Sequence, residues 1–207
     1  MVFRSKIILA VGAHPDDIEL GCGGTLCKLA KKGGKVVAVY LTKGEKSGDA
    51  RIRVQESTKA LRVLGVKEIH FGNFPDTEIP HSFDAINFLE EFSLRYSPDI
   101  VLTHTTNDTH QDHRQTGWLS ISAFRNVQKI LAYETPRVMS AAFLPTYFVD
   151  ISGCVKKKWE ALQCHASQKG KRYLAYHSTV SLSSFRGSQV GLACAEAFEI
   201  LKFVEKI

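Results

Sequence analysis

The stretch Ile7-Ile8-Leu9-Ala10-Val11-Gly12-Ala13-His14-Pro15-Asp16-Asp17 decides how the chain is read. An unbroken apolar run of this length, closed by one turn residue, Gly12, reads as a strand buried on both faces. An imidazole and two carboxylates follow at its carboxyl end. An apolar-periodic segment beginning near Ile18 then predicts a helix. His14 and Asp17 are three apart and can converge on one point, while Asp16 points elsewhere. Two ligands and one separate carboxylate are the parts of a metal site with an acid or base beside it. The same residues would also serve as a polar turn and a helix N-cap. The rest of the chain has to decide.

Outward from this stretch, the predicted helix covers residues 18–33. Ile18, Leu20, Leu26, Leu29 and Ala30 form its apolar face, and Gly33-Gly34 stops it. Gly21-Cys22-Gly23-Gly24 weakens its first turns, and glycines there point to close packing or close backbone approach. They are no dinucleotide fingerprint, because no GxGxxG directly follows the strand, and no GxxxxGK[ST] occurs anywhere. Residues 35–41 predict a second buried strand and 42–50 a polar loop. A helix at 51–64 and a short strand at 68–71 follow. Residues 72–80 form a loop with Pro75-Asp76, 82–95 an amphipathic helix, and 100–103 a fourth strand.

This alternation predicts an α/β fold: a Rossmann-like, doubly wound, mostly parallel sheet with helices on both faces. In the common order 3-2-1-4-5 the strand order reverses between strands one and four. Ligands bind at that reversal, outside the carboxyl ends. Strand four leads straight into His104-Thr105-Thr106-Asn107-Asp108-Thr109-His110-Gln111-Asp112-His113, which holds three of the chain's eight histidines. Two loops rich in His and Asp at two strand ends that should adjoin argue for a site over a chance polar turn.

Further along, a helix is expected at about 115–127 and strand-like pieces at 130–133 and 137–141, around Thr135-Pro136. A strand is expected at 146–151 and a helix at 153–164. Residues 182–207 are ambiguous between helix and strand. No repeat, low-complexity tract or linker divides the chain, so a single domain over 1–207 is expected.

Of the 207 residues, 44% are hydrophobic, enough for a proper core. No apolar run approaches the length of a membrane span, and the first residues lack the pattern of a signal peptide. A cytoplasmic protein is expected. Its five cysteines form no CxxC pair, which fits reduced, buried thiols. The net charge is +6, from 27 basic and 21 acidic residues. The runs Lys156-Lys157-Lys158 and Lys169 to Arg172 read as solvated faces. No aromatic signature for nucleic acid accompanies them.

The simplest metal site takes His14, Asp17 and His113 as ligands and leaves a position open for water or substrate. Zinc is the default, and Fe2+ and Mn2+ suit the same ligand types. Asp16 is then free as general base. His110, if protonated, would stabilise an oxyanion or protonate a leaving group, and Asp112 is placed to orient an imidazole. These parts suit hydrolysis of an amide or ester through a tetrahedral intermediate. No GxSxG elbow or HExxH helix offers another scheme. A non-haem iron oxygenase shares the ligand set, but its HxD spacing and all-β fold do not match.

At these residues the sequence resembles the zinc-dependent sugar N-deacetylases of the PIG-L / LmbE-like type. The resemblance rests on Ala13 to Asp17, Arg53-Val54-Gln55-Glu56 ahead of Leu64-Gly65-Val66, and Pro75-Asp76. Thr103-His104 with His110 to His113, and His165-Ala166-Ser167-Gln168, complete it. It implies zinc on His14, Asp17 and His113, Asp16 as general base, His110 as oxyanion stabiliser or acid, and Asp112 as its orienting partner. Arg53 would contact substrate near the metal, Asp76 and His165 are further substrate-binding candidates, and the substrate would be an N-acetylated amino sugar. Many members have an acid directly after the two aspartates. Here Ile18 takes that place and Glu19 follows. A non-sugar or thiol-conjugate amide is the alternative substrate, and a binding module without turnover the alternative class. Relatives of this size often associate, so a homo-oligomer is expected.

Overall fold

The computed structural model describes residues 6–136, 138 and 143–205. Strands β1 (Ile7–Gly12), β2 (Lys35–Tyr40), β3 (Glu68–Phe71), β4 (Ile100–His104) and β5 (Lys129–Tyr133) alternate with four helices. These are α1 (Asp17–Lys31), α2 (Ala50–Val63), α3 (Phe83–Tyr96) and α4 (Gln111–Ala123). Then come β6 (Tyr147–Asp150), α5 (Val155–Leu162), α6 (Tyr176–Ser188) and β7 (Ala195–Phe203). The sheet order is β3-β2-β1-β4-β5-β7-β6. The first five strands run parallel in the expected 3-2-1-4-5 order. Strand β7 adds antiparallel to β5, and β6 antiparallel to β7.

Burial on both faces explains the unbroken apolar runs. Ile8 and Ala10 of β1 pack with Leu26 of α1, Leu61 of α2 and Ala161 of α5. Leu9 and Val11, one residue out of phase, pack with Leu89 of α3 and Leu119 of α4 on the other face. The glycines of α1 are close-packing positions. A Cβ on Gly21 would come within 2.1 Å of the Tyr133 ring, and one on Gly24 within 2.7 Å of Ile151. Tyr133 in turn donates its hydroxyl to the Val11 carbonyl at 2.7 Å, tying β5 to β1 below the site.

Two expectations need correction, and two stretches without a settled reading are resolved. Helix α4 starts at Gln111 instead of 115, because His110 caps it: its Nδ1 accepts the Asp112 amide N–H at 3.2 Å. His113 therefore sits in the first helical turn. Residues 176–188 are helical despite a run of serines and β-branched residues, which have low helix propensity. Residues 195–203 settle the ambiguous tail as a strand. Lys158, read as part of a solvated face, is buried; its ammonium binds Glu196 of β7 at 2.6 Å. The strand expected at 137–141 lies, apart from residue 138, outside the described residues.

Candidate active site

The loops after β1 and β4 meet at the strand-order reversal. Ligand atoms of His14, Asp17 and His113 lie within 4.8 Å of one another. His14 Nδ1 is 3.3 Å from Asp17 Oδ2, and His113 Nε2 is 3.2 Å from Asp17 Oδ1. The turn forms because Asp17 folds back to accept the His14 amide N–H at 2.7 Å. Neither aspartate caps α1 in the ordinary way. Asp16 occupies the N-cap position without a side-chain cap bond, at φ 114°. That is the left-handed region, unfavourable for a residue with a Cβ. An ordinary N-cap role for Asp16 is thereby excluded.

The outer nitrogens of both imidazoles are taken by carboxylates. His14 Nε2 bonds Asp112 at 2.9 Å and Asp76 at 3.1 Å. His113 Nδ1 bonds Asp108 at 2.9 Å. With one proton held outward on each ring, loss of the other would leave the His14 Nδ1 and His113 Nε2 lone pairs directed toward Asp17, the arrangement of metal-ligating histidines. Two overlapping groups, His14–His110–Asp112 and His104–Asp108–His113, also bring ligand atoms together. Of the three, the His14–Asp17–His113 set is the one in which the two oxygens of a single carboxylate face imidazoles from both loops.

The electrostatics point the same way. Burial opposes charge on His14, but bonds to Asp112, Asp17 and Asp76 outweigh it and hold the imidazole well above its ordinary range. His113, also buried, is raised to about 9 by Asp17 and Asp108. Burial opposes ionisation of Asp17, yet the His113 and His104 imidazoles push its carboxyl well below the usual range. Without a cation, protons neutralise this nest of carboxylates; a divalent metal would replace them. Asp16 stands apart. Burial, then the charge of Asp17, pushes its carboxyl up to about 6 against the pull of Arg53 and His165. His104 is fully buried, stacked on His113 at 4.1 Å, and lowered to about 4 by burial and the His113 charge. Its Nε2 bonds Asp17 Oδ2 at 3.1 Å, so it supports the ligand set from below.

The other candidates are partly redistributed. His110 lines the pocket, but burial and the neighbouring His113 and His14 lower its pKa. The protonated form is thus disfavoured in this site, and a cation there would act in the same direction. With Nδ1 accepting the Asp112 amide, its proton sits on Nε2. The carboxylate of Asp112 orients His14, and only its backbone N–H reaches His110; its expected role is corrected to that extent. Arg53 lines the pocket with its guanidinium turned to the Pro15 carbonyl and, at 3.6 Å, to Asp16. Asp76 lines it too, with its oxygens held by His14 Nε2 and the Lys46 amide. His165 is fully buried away from this pocket and bonds Glu19 at 3.0 Å. Glu19, displaced by one position from the family pattern, also accepts the Tyr40 and Ser57 hydroxyls at 2.6 and 2.9 Å.

Three contributors were not picked out in the sequence. Asp108 accepts from His113, the His110 amide and the Thr135 hydroxyl. Its place five residues before a ligand histidine, in a loop of turn residues, was the available signal. Lys171 and Tyr173 form a wall of the pocket, about 130 Å³ in volume. Nothing local marks them.

The geometry defines a class: an α/β protein whose adjoining strand ends bring two imidazoles and a carboxylate together, with a second buried carboxylate beside them. The family is shown by comparison. The sequence model of the GlcNAc-PI de-N-acetylase (PIG-L) family matches residues 9–124, and the chain belongs to that family. An uncharacterized deacetylase of Escherichia coli (strain K12) is 38% identical over 175 residues, covering 81% of this chain and 92% of that protein. The diacetylchitobiose deacetylase of Thermococcus kodakarensis is 33% identical over 187 residues, covering 79% of this chain and 70% of that one. The structure of N,N'-diacetylchitobiose deacetylase from Pyrococcus horikoshii, in complex with an inhibitor, matches with a TM-score of 0.83 at 29% identity. It covers 95% of this chain and 84% of that one. Among the described residues, no helix is long and apolar enough to cross a membrane.

Proposed function

We propose that the protein is a metal-dependent deacetylase that removes the acetyl group from an N-acetylated amino sugar. The observation that carries this is Asp16, an unligated buried carboxylate beside the converged atoms of His14, Asp17 and His113. Two of the named relatives are diacetylchitobiose deacetylases, which supports the substrate class.

His14, Asp17 and His113 would hold the metal, and zinc suits two imidazoles and a carboxylate. When bound, zinc supplies Lewis acidity and an acidified water at neutral pH. The chain's own residues do the rest. Asp112 and Asp76 fix the ring of His14, and Asp108 fixes that of His113. Asp16 takes the proton from the attacking water as oxygen bonds to the acetyl carbon. The Nε2–H of neutral His110 donates to the carbonyl oxygen as it gains charge, an oxyanion contact that needs no imidazolium. When the C–N bond breaks, Asp16 returns its proton to the nitrogen. Acetate and a free amine result.

The test replaces Asp16 by Ala in the zinc-loaded protein and follows acetate release from N-acetylglucosamine conjugates. Turnover should fall by at least about 100-fold, in line with general-base losses, with zinc content retained. Full activity in that variant would refute the assigned role. A panel of non-sugar amides separates the sugar substrate from other amides.

A further inference from the structure

One wall of the pocket comes from no strand end. Lys171 and Tyr173 build it, around the 3-10 turn Arg172–Leu174. This segment is braced from behind. His165 Nε2 bonds Glu19 in the first turn of α1 at 3.0 Å. The Ser167 amide and hydroxyl both donate to Glu56 of α2, at 2.7 and 2.6 Å. Gln168 Nε2 donates to the Ser47 carbonyl at 3.1 Å. Tyr173 itself packs against Leu20, Leu162 and Leu174, and Lys171 Nζ lies 5.7 Å from its ring centroid. A ring confined in this way presents its hydroxyl from a fixed place.

That hydroxyl faces Oδ2 of Asp16 at 3.5 Å. Arg53 Nη2 approaches the same oxygen at 3.6 Å. Both contacts fall on Oδ2. The distances are long for hydrogen bonds, as they often are in unliganded catalytic sites before substrate closes them. Asp16 needs such support, because its backbone is strained and its side chain caps nothing.

We propose that Tyr173 is a positioning residue for the base. Its hydroxyl and Arg53 together hold Oδ2 of Asp16, which leaves Oδ1 to address the attacking water. The motif His165-Ala166-Ser167-Gln168 acts at a distance in the same device: it braces the wall that carries Tyr173 onto α1, α2 and the loop at Ser47. This rests on the deacetylase reading of the site.

The experiment uses the full-length, zinc-loaded protein with Tyr173→Phe, Asp16→Asn and the double variant, each checked for folding and zinc content. Phe keeps the packed ring and removes only the hydroxyl. In Tyr173→Phe, kcat falls roughly three- to tenfold, the scale of one ordinary hydrogen bond, in keeping with the 3.5 Å separation, with KM within twofold. In the Asp16→Asn background the same change alters the residual rate by less than twofold, because Tyr173 acts through Asp16. A merely structural role would lower both backgrounds by the same factor. Independently of turnover, the carbon-13 carboxyl resonance of Asp16, assigned by its loss in Asp16→Asn, moves in Tyr173→Phe and stays in the exposed Arg172→Gln. Unchanged kcat and resonance in Tyr173→Phe, or equal losses in both backgrounds, overturn the proposal. A wild-type protein that releases no acetate refutes the deacetylase reading instead, and the resonance then still decides the Tyr173 contact.

Discussion

Replacing Asp108 by Ala should weaken metal binding without touching a ligand. In the structure Asp108 is almost fully buried, and its Oδ2 lies 2.9 Å from His113 Nδ1. That contact fixes the proton on Nδ1 and keeps the Nε2 lone pair turned toward Asp17, 3.2 Å away. Without it the ring loses both its tautomer and its orientation. The loss of an outer carboxylate of this kind typically costs about 10–100-fold in metal affinity, or about 1.4–2.7 kcal/mol. Metal that binds only the folded state stabilises it by the same free energy, so zinc should protect the variant less than wild type by that amount. For a chain of this size each kcal/mol is worth about 2–4 °C, so the zinc-induced rise in Tm should be smaller by roughly 3–10 °C. Chelator competition measures the affinity, and thermal unfolding with and without zinc measures the protection. Comparing the two zinc-free proteins removes any direct effect on folding. A zinc Kd within threefold of wild type would show that Asp108 does not orient His113.

Other consequences are separate. Asp16 acts as a carboxylate, and its carboxyl is pushed up to about 6, so kcat/KM should fall as pH drops through that region. A bound cation shifts the limb to lower pH, and Arg53→Met, which removes a charge favouring the carboxylate, shifts it higher; a limb that ignores Arg53 would contradict the assignment. A raised carboxyl pKa means the folded state binds more protons than the unfolded one, so this group's contribution declines as pH rises from about 4 through 6. Metal-free Asp16→Asn should therefore be at least as stable as wild type at pH 7 in urea unfolding. Glu196→Ala strands the buried Lys158 ammonium and frees the Gly24 and Thr25 amides. It should cost about 3–5 kcal/mol, whereas Lys158→Met with Glu196→Gln, which removes the buried charge and keeps an acceptor for the two amides, should recover part of that; equal losses in both proteins would refute the ion-pair account.

Residues near one another in the chain were the legible ones. Strands buried on two faces wrote themselves as apolar runs, and each half of the site lies within a few residues of a strand end. His14 with Asp17, and His110 with His113, could be gathered from spacing and the strand-order rule. The supporting contacts could not. His14 meets Asp112 across 98 residues, Glu19 meets His165 across 146, and Asp16 meets Tyr173 across 157. Spacing carries no signal at that range. Asp112 was assigned to the wrong imidazole for this reason: its backbone faces His110 while its carboxylate faces His14. Lys158 looked solvated because its partner, Glu196, lies in a strand whose pattern was ambiguous. Helix α6 escaped notice because its serines and β-branched residues favour no helix, and packing against β7 sets it instead.

The most direct test is to incubate the protein with N,N'-diacetylchitobiose, zinc-loaded and after chelation, and to quantify acetate and free amine together. Equal amounts of both, formed by the zinc-loaded protein and lost on chelation, are the predicted result. No acetate from this or any other N-acetyl sugar, or release indifferent to chelation, would contradict a metal-dependent sugar deacetylase.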